Sequence, residues 1–327
     1  MNKRYVPITA TVLVAVLLYV GVGLIYPNFY SLRVFVNFFR DNAFLGVIAV
    51  GMTFVILTGG IDLSVGSMIA FVGILCASLM EQTRMSPLLA FAIALACGSA
   101  IGFAMGCLIH FFKAPPFIVT LAGMFFCRGL ANVISLASIP INDPLFKTIM
   151  RFGIPLTDGI KVPTTVLVFA AVFVVFLYVA HLTRFGREVY AIGGNAQSAL
   201  FMGLRIGRTK ILVYTLSGLL SSLAGIVYIL NTPAGNSLAG LGVELDAIAC
   251  VVIGGTLLSG GVGYLAGTLV GVLIQAIIKT FLTFSSLSSW WTKIAIGVLI
   301  MLFIVLQQLF SRISTLPATR RKRRAQA

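Results

Sequence analysis

The chain has 327 residues, 59% of them hydrophobic and only 9% charged, with a mean hydropathy of +1.08, and a soluble domain cannot cover that much apolar surface with polar side chains. Its formal net charge of +15 would raise nucleic acid as a partner in a soluble protein. In a membrane protein Lys and Arg collect in cytoplasmic loops instead, so membrane lipid is expected as a partner and nucleic acid is not.

A helix rises 1.5 Å per residue, so about 20 apolar residues cross a hydrocarbon core of about 30 Å. Ten stretches are candidates: 8–26, 43–58, 64–80, 88–112, 117–137, 163–181, 211–230, 247–258, 263–283 and 292–310. The expected fold is all-α, a polytopic integral membrane helix bundle forming one transmembrane domain over 1–327. Lys3 and Arg4 precede the first run as in a signal peptide, but the run is too long and lacks a small-x-small cleavage site, so it reads as a retained span. The second and eighth stretches are short: either they end inside the bilayer or their bounds lie elsewhere.

Loop charge sets the orientation. With the N-terminus inside, Lys113, Arg184, Arg187, Arg205, Arg208, Lys210 and the basic tail 311–327 fall on the cytoplasmic side. The external loops then carry fewer cations, offset by Asp41, Glu81, Asp143 and Asp158. Both termini and the polar loop 181–210 are thus expected in the cytoplasm. Trp290 and Trp291 suit the external interface.

Within 181–210, Asn195 is a good N-cap for a short helix from Ala196 to Met202, and Gly203 is a plausible stop. Such a helix, held in water between two long apolar runs, is expected to touch a partner.

Leu57 aligned with Leu258 sets LTGGIDLSVGS over LSGGVGYLAGT, a weak repeat that is either a duplicated half or convergence of Gly-rich turns. Gly59 and Gly60 break the helix before Asp62 and free backbone groups. Asp62 is then either an N-cap for a helix starting near Leu63 or a contact for the solute. Gly59, Gly60, Asp62, Ser64 and Asn132 are the candidate lining of a translocation path.

Ionised groups inside spans are costly, about 2.5 to 3.5 kcal/mol each at the bilayer centre on insertion scales. Arg128 is accordingly expected to form an ion pair with Glu244 or Asp246, and Lys279 and Lys293 to snorkel outward. Gly98, Gly102 and Gly106, and again Gly263, Gly267 and Gly271, form small-residue grooves for close helix packing.

The chain has no phosphate-binding loop, no Ser-His-Asp pattern, and no cluster of ligands around His110 or His181. The five cysteines sit in apolar runs without a C-x-x-C and read as core residues. Nucleotide hydrolysis, catalysis and bound metal or cofactor are therefore not expected of this chain itself.

Five stretches in order, GGIDLSVGS (59–67), AGMFFCRGL (122–130), TRFGREVYAIGGNAQSALFMGL (183–204), LSGLLSSLAGI (216–226) and VELDAIACVVIGGTLLSGGVG (243–263), resemble the sugar permease subunits of ribose-type ATP-binding cassette importers. The resemblance covers nearly the whole chain. Within that family the stretches 41–67, 138–143 and 287–297 look closest to the permeases of galactofuranose importers.

The resemblance implies a multi-pass protein of the bacterial inner membrane. It would pair with a second permease, homologous or identical, two cytoplasmic ATPase domains and a periplasmic sugar-binding protein, with ATP and Mg used by the ATPase. Gly194, Asn195, Ala196, Ala199 and Gly203 match the loop that couples to the ATPase, with Ala199 at its centre. The competing reading is a secondary sugar transporter coupled to protons through Asp62, Glu244 or Asp246.

Overall fold

The computed structural model describes residues 6–157 and 159–285, with scattered positions between 290 and 305. Lys3, Arg4 and the tail 311–327 lie outside the described residues, as does much of the tenth expected span, 292–310. Six helices among the described residues are long and apolar enough to cross a membrane. They are α2 (Leu32–Leu57), α4 (Pro87–Phe111), α5 (Pro116–Ile134), α7 (Thr164–Leu182), α10 (Ile206–Asn231) and α12 (Leu265–Phe284).

α1 (Val6–Ile25) stops ahead of Pro27, which opens a short 3-10 turn. The hydroxyl of Ser31 then accepts from the Val34 amide and caps α2. With 26 residues, α2 is about 39 Å long and begins well before the expected 43–58. Arg33, Arg40 and Asp41, all ahead of the expected start, belong to its first turns, and Arg40 pairs with Asp41 on the exposed side at 2.9 Å. The eighth span, by contrast, is short: α11 (Val243–Ile253) has 11 residues, about 16 Å of helix.

Between α5 and α7 the chain is not simple loop. Asp143 accepts from the Phe146 amide at 2.9 Å and caps α6 (Pro144–Arg151). Strand β1 (Ile139–Pro140) pairs antiparallel with β4 (Ala234–Gly235), and β2 (Gly153–Thr157) with β3 (Ile160–Pro163). Among the described residues the architecture is therefore predominantly helical, with two small ribbons that the all-α expectation did not include.

α2, α3 (Val65–Glu81) and α10 form the centre and are buried along most of their length, whereas α4, α5 and α7 turn most of their surface outward. Both glycine grooves find a partner helix. A Cβ on Gly98 or Gly102 of α4 would strike Ser222 or the Tyr214 carbonyl of α10. One on Gly267 or Gly271 of α12 would strike the carbonyl of Gly254 or Cys250 along α11. Glycine is needed there because backbone lies against backbone.

Candidate functional site

The loop after α7 folds into two short helices. Thr183 accepts from the Gly186 amide and opens α8 (Arg184–Gly194). Asn195, in extended conformation, ends α8 and caps α9 (Ala196–Phe201) by accepting from the Ser198 amide at 2.8 Å. Gly203 closes α9 with φ +79°, and the Leu204 amide returns to the Ala199 carbonyl at 3.1 Å, a left-handed C-cap. Asn195, Ala196 and Gly203 thus stand where the sequence pattern put them.

Ala199 does not face outward. It is 0% exposed, turned into the protein, while Leu200, Phe201 and Met202 are 59%, 84% and 68% exposed. The outward surface of the loop is this apolar triplet. The capping pattern located the helix, but its phase is set by the packing of α9 on α8 and α10.

Two breaks meet beneath α8. α2 ends in a glycine cap, Gly59 at φ +78° with the Gly60 amide on the Val55 carbonyl at 3.1 Å. α11 ends the same way, Gly255 at φ +91° with the Thr256 amide on the Val251 carbonyl at 3.2 Å. The second break then turns through Gly260 and Gly261, and the Gly261 amide satisfies the Leu57 carbonyl at 2.9 Å. The two stretches aligned as a repeat are therefore in direct contact, and the helices after them, α3 and α12, start at matching positions to within one residue.

α8 sits against both breaks. A Cβ on Gly193 would strike the Leu57 carbonyl and the Gly261 amide. Tyr190 donates to the Gly263 carbonyl at 2.9 Å, and Glu188 accepts from the Thr209 hydroxyl at 2.6 Å. Burial, with Tyr264 nearby, pushes the Tyr190 phenol up to about 12. Gly193 is the close-packed member of the Gly193 and Gly194 pair, since a Cβ on Gly194 would meet nothing within 4 Å. Gly193 and Tyr190 were missed in the sequence; the doubled glycine was the available signal.

Of the candidate path residues, Asp62 and Ser64 are brought together and buried. One Asp62 oxygen accepts from the Ser64 amide and hydroxyl at 2.9 and 2.6 Å, and the other from the Ser217 hydroxyl of α10 at 2.6 Å. The carboxylate anchors the start of α3, at Val65 rather than Leu63, to α10. Gly60 is buried under Tyr214, and Gly59 is exposed. Asn132 is separate: it lies nine residues beyond Gly123, the α5 residue that faces Ser64, about 13 Å further along the helix axis.

Among the described residues neither Glu244 nor Asp246 comes within ion-pair distance of Arg128, although the Glu244 charge acts on the guanidinium from further off. Arg128 donates to the carbonyls of Ser237 and Ala239 at 2.6 and 2.8 Å. Asp246 pairs with Lys279 across the α11–α12 hairpin at 3.3 Å, so Lys279 does not snorkel outward. The Glu244 carboxylate lies against Gly66 at the start of α3. The irregular chain before α11 leaves carbonyls free, and a guanidinium with five donors satisfies two at once. Lys293 stacks over Trp290, 4.8 Å from the ring centre. No group of three or more His, Cys, Asp or Glu able to hold a metal occurs among the described residues.

Residues 34–304 match the family described as branched-chain amino acid transport system / permease component. The chain is 54% identical over 309 residues to the inner membrane ABC transporter permease protein YjfF of Escherichia coli strain K12, covering 94% of this chain and 93% of that protein. It is 39% identical to the ribose import permease protein RbsC of the same strain, covering 90% and 91%. It is 37% identical to the fructose import permease protein FruG of Bifidobacterium longum strain NCC 2705, covering 94% and 92%. No solved structure matches the chain.

Proposed function

The chain belongs to the permease-component family of ATP-binding cassette importers, and from that premise we propose that it forms the sugar path of an importer and is driven through α9. As a multi-pass inner membrane permease it carries no ATPase of its own. The observation that carries the proposal is the position of α9 and α8: an exposed apolar triplet on one side, and both glycine breaks held on the other. A force applied at Phe201 has a short, packed route to the ends of α2 and α11.

In this reading the loop faces the cytoplasm and Leu200, Phe201 and Met202 enter a socket on a separate ATPase, which uses ATP and Mg. A second permease subunit and a periplasmic sugar-binding protein complete the importer. ATP binding moves the socket, α8 carries the movement to the two breaks, and the bundle changes which side its path opens to. The shift requires the ATPase to contact the two states differently. Gly59, Gly60, Asp62, Ser64 and Asn132 remain the proposed path region, with Asp62 latched to Ser217 in the conformation described.

The solute class follows the relatives named for ribose and fructose rather than the amino acids in the family description. Galactofuranose is the proposed sugar, on the likeness of the stretches 41–67, 138–143 and 287–297. The test is uptake into proteoliposomes holding the permease with its ATPase and binding protein, comparing galactofuranose with ribose. Uptake that needs ATP and prefers galactofuranose is expected. Uptake driven by a pH gradient without the ATPase would overturn the reading in favour of a proton-coupled transporter.

A further inference from the structure

Tyr214 of α10 is among the largest fully buried side chains, 1% exposed, yet its hydroxyl has no hydrogen-bond partner among the described residues. Such a group is rare, because burial strips its water and here returns nothing. The hydroxyl lies over the first glycine break: a Cβ on Gly60 would strike it. Two residues on, Asp62 is held by Ser64 and by Ser217, and its charge acts on Tyr214 without a hydrogen bond between them.

Tyr214 and Ser217 are three residues apart on one face of α10, about 4.5 Å along the axis. The chain from Gly60 to Asp62 therefore runs along α10 from the phenol to the serine. Here α10 itself is fixed, since a Cβ on Gly102 of α4 would strike the Tyr214 carbonyl and one on Gly218 the Gly98 carbonyl. The break is held differently. α8 packs on its Leu57 carbonyl through Gly193, and α8 leads into α9 at Asn195. Of the two α10 residues, Tyr214 is nearer the end that follows α9. A pull by α8 toward that end carries Asp62 from Ser217 toward Tyr214. Asp62 has room to accept: a carboxylate offers about four lone-pair sites, of which the Ser64 amide, the Ser64 hydroxyl and the Ser217 hydroxyl use one each.

We propose that Tyr214 is the second donor of a two-position latch. Asp62 is held by Ser217 in the conformation described and by the Tyr214 hydroxyl in the alternate conformation of the transport cycle. The inference rests on the reading of the chain as a permease driven through α8 and α9, and it adds the residue that receives the break when it moves. Tyr214 is a positioning residue, acting through Asp62 rather than on the sugar. One hydrogen bond is exchanged for another, so the break has two discrete positions of similar energy, as a switching bundle requires.

The test is uptake of galactofuranose at varied concentration into proteoliposomes holding the permease with its ATPase and binding protein, for Tyr214→Phe and Ser217→Ala. Tyr214→Phe keeps the ring and takes no bond from the described conformation, so the melting temperature should stay level or rise. Maximal uptake should fall by about two- to ten-fold, the span of one net hydrogen bond, with the half-saturating sugar concentration unchanged. Ser217→Ala removes the donor of the described position, and should lower the melting temperature and raise ATP hydrolysis in the absence of sugar, whereas Tyr214→Phe lowers that hydrolysis. Unchanged maximal uptake in Tyr214→Phe, or a loss matched by a lower melting temperature, would overturn the latch. A higher half-saturating concentration at the same maximal rate would make Tyr214 a sugar contact and overturn it as well. Uptake by the unaltered permease that needs no ATP would overturn the importer reading on which the latch rests, whereas the variant results overturn the latch alone.

Discussion

Tyr190 Oη donates a 2.9 Å hydrogen bond to the carbonyl oxygen of Gly263, tying α8 to the chain that enters α12. With Gly193 packed on the Leu57 carbonyl, it makes α8 a bridge to both breaks. Tyr190→Phe keeps the ring and its packing but removes the bond, worth about 0.5–1.5 kcal/mol net. ATP-driven uptake should fall by a few-fold while the amount of inserted permease stays constant. The phenol is raised to about 12 from its ordinary 10, so its neutral, donating form is favoured by folding. The stabilisation is full below pH 10 and is lost as pH rises from there through 12. Uptake by Tyr190→Phe equal to wild type would remove this bond from the route.

Phe201 is the more exposed neighbour of Ala199, and the two should fail in different ways. Phe201→Ala alters surface alone, so the melting of the purified permease should move by no more than about 0.5 kcal/mol, while stimulation of the ATPase by sugar and binding protein is lost. Ala199→Arg drives a charge into a site with no exposure, and should lower yield and melting temperature before coupling can be measured. Normal coupling in Phe201→Ala would detach α9 from the ATPase.

The contrast shows what could be read from the chain. Asn195 and Gly203 are legible because a cap acts over three or four residues, and the glycine grooves of α4 and α12 because backbone contact tolerates no side chain. The face that α9 presents was not legible, since a six-residue helix turned by distant packing has no periodicity of its own to reveal its phase. Asp62 illustrates the middle case. The break at Gly59 and Gly60 announced a special position, but the Ser217 hydroxyl that holds its carboxylate lies 155 residues away. The start of α2 was misplaced for the opposite reason: Arg33, Arg40 and Asp41 look like loop, yet a helix longer than the hydrocarbon core carries charges at its projecting end.

Arg128 holds two carbonyls of the stretch before α11, those of Ser237 and Ala239. Arg128→Ala leaves both without their donor, at about 1–3 kcal/mol for each buried unsatisfied group, and should lower the melting temperature in detergent and the yield of assembled transporter. Glu244→Gln keeps size and shape and removes only a charge that acts on Arg128 without a direct contact, so it should cost much less. Equal losses in the two variants would restore an ion pair between Arg128 and Glu244 as the stabilising contact.

Gly271 faces the Cys250 carbonyl, and Gly267 the Gly254 carbonyl, along the seam that joins α11 to α12. Because the obstacle is backbone rather than the end of a flexible side chain, a methyl group cannot be absorbed by a rotamer change. Gly271→Ala should push the hairpin apart and cost about 1–3 kcal/mol, the usual range for overpacking, read as a lower melting temperature. Gly21→Ala in α1, where an added Cβ meets nothing within 4 Å, supplies the comparison. It gains helix propensity of about 1 kcal/mol and should be neutral or stabilising. The seam also has a functional reading: α11 ends at the break that α8 holds, so a hairpin forced open at Gly271 should lose ATP-driven uptake more steeply than it loses stability. If Gly271→Ala melts and transports like wild type, the two helices do not rely on the close approach seen here.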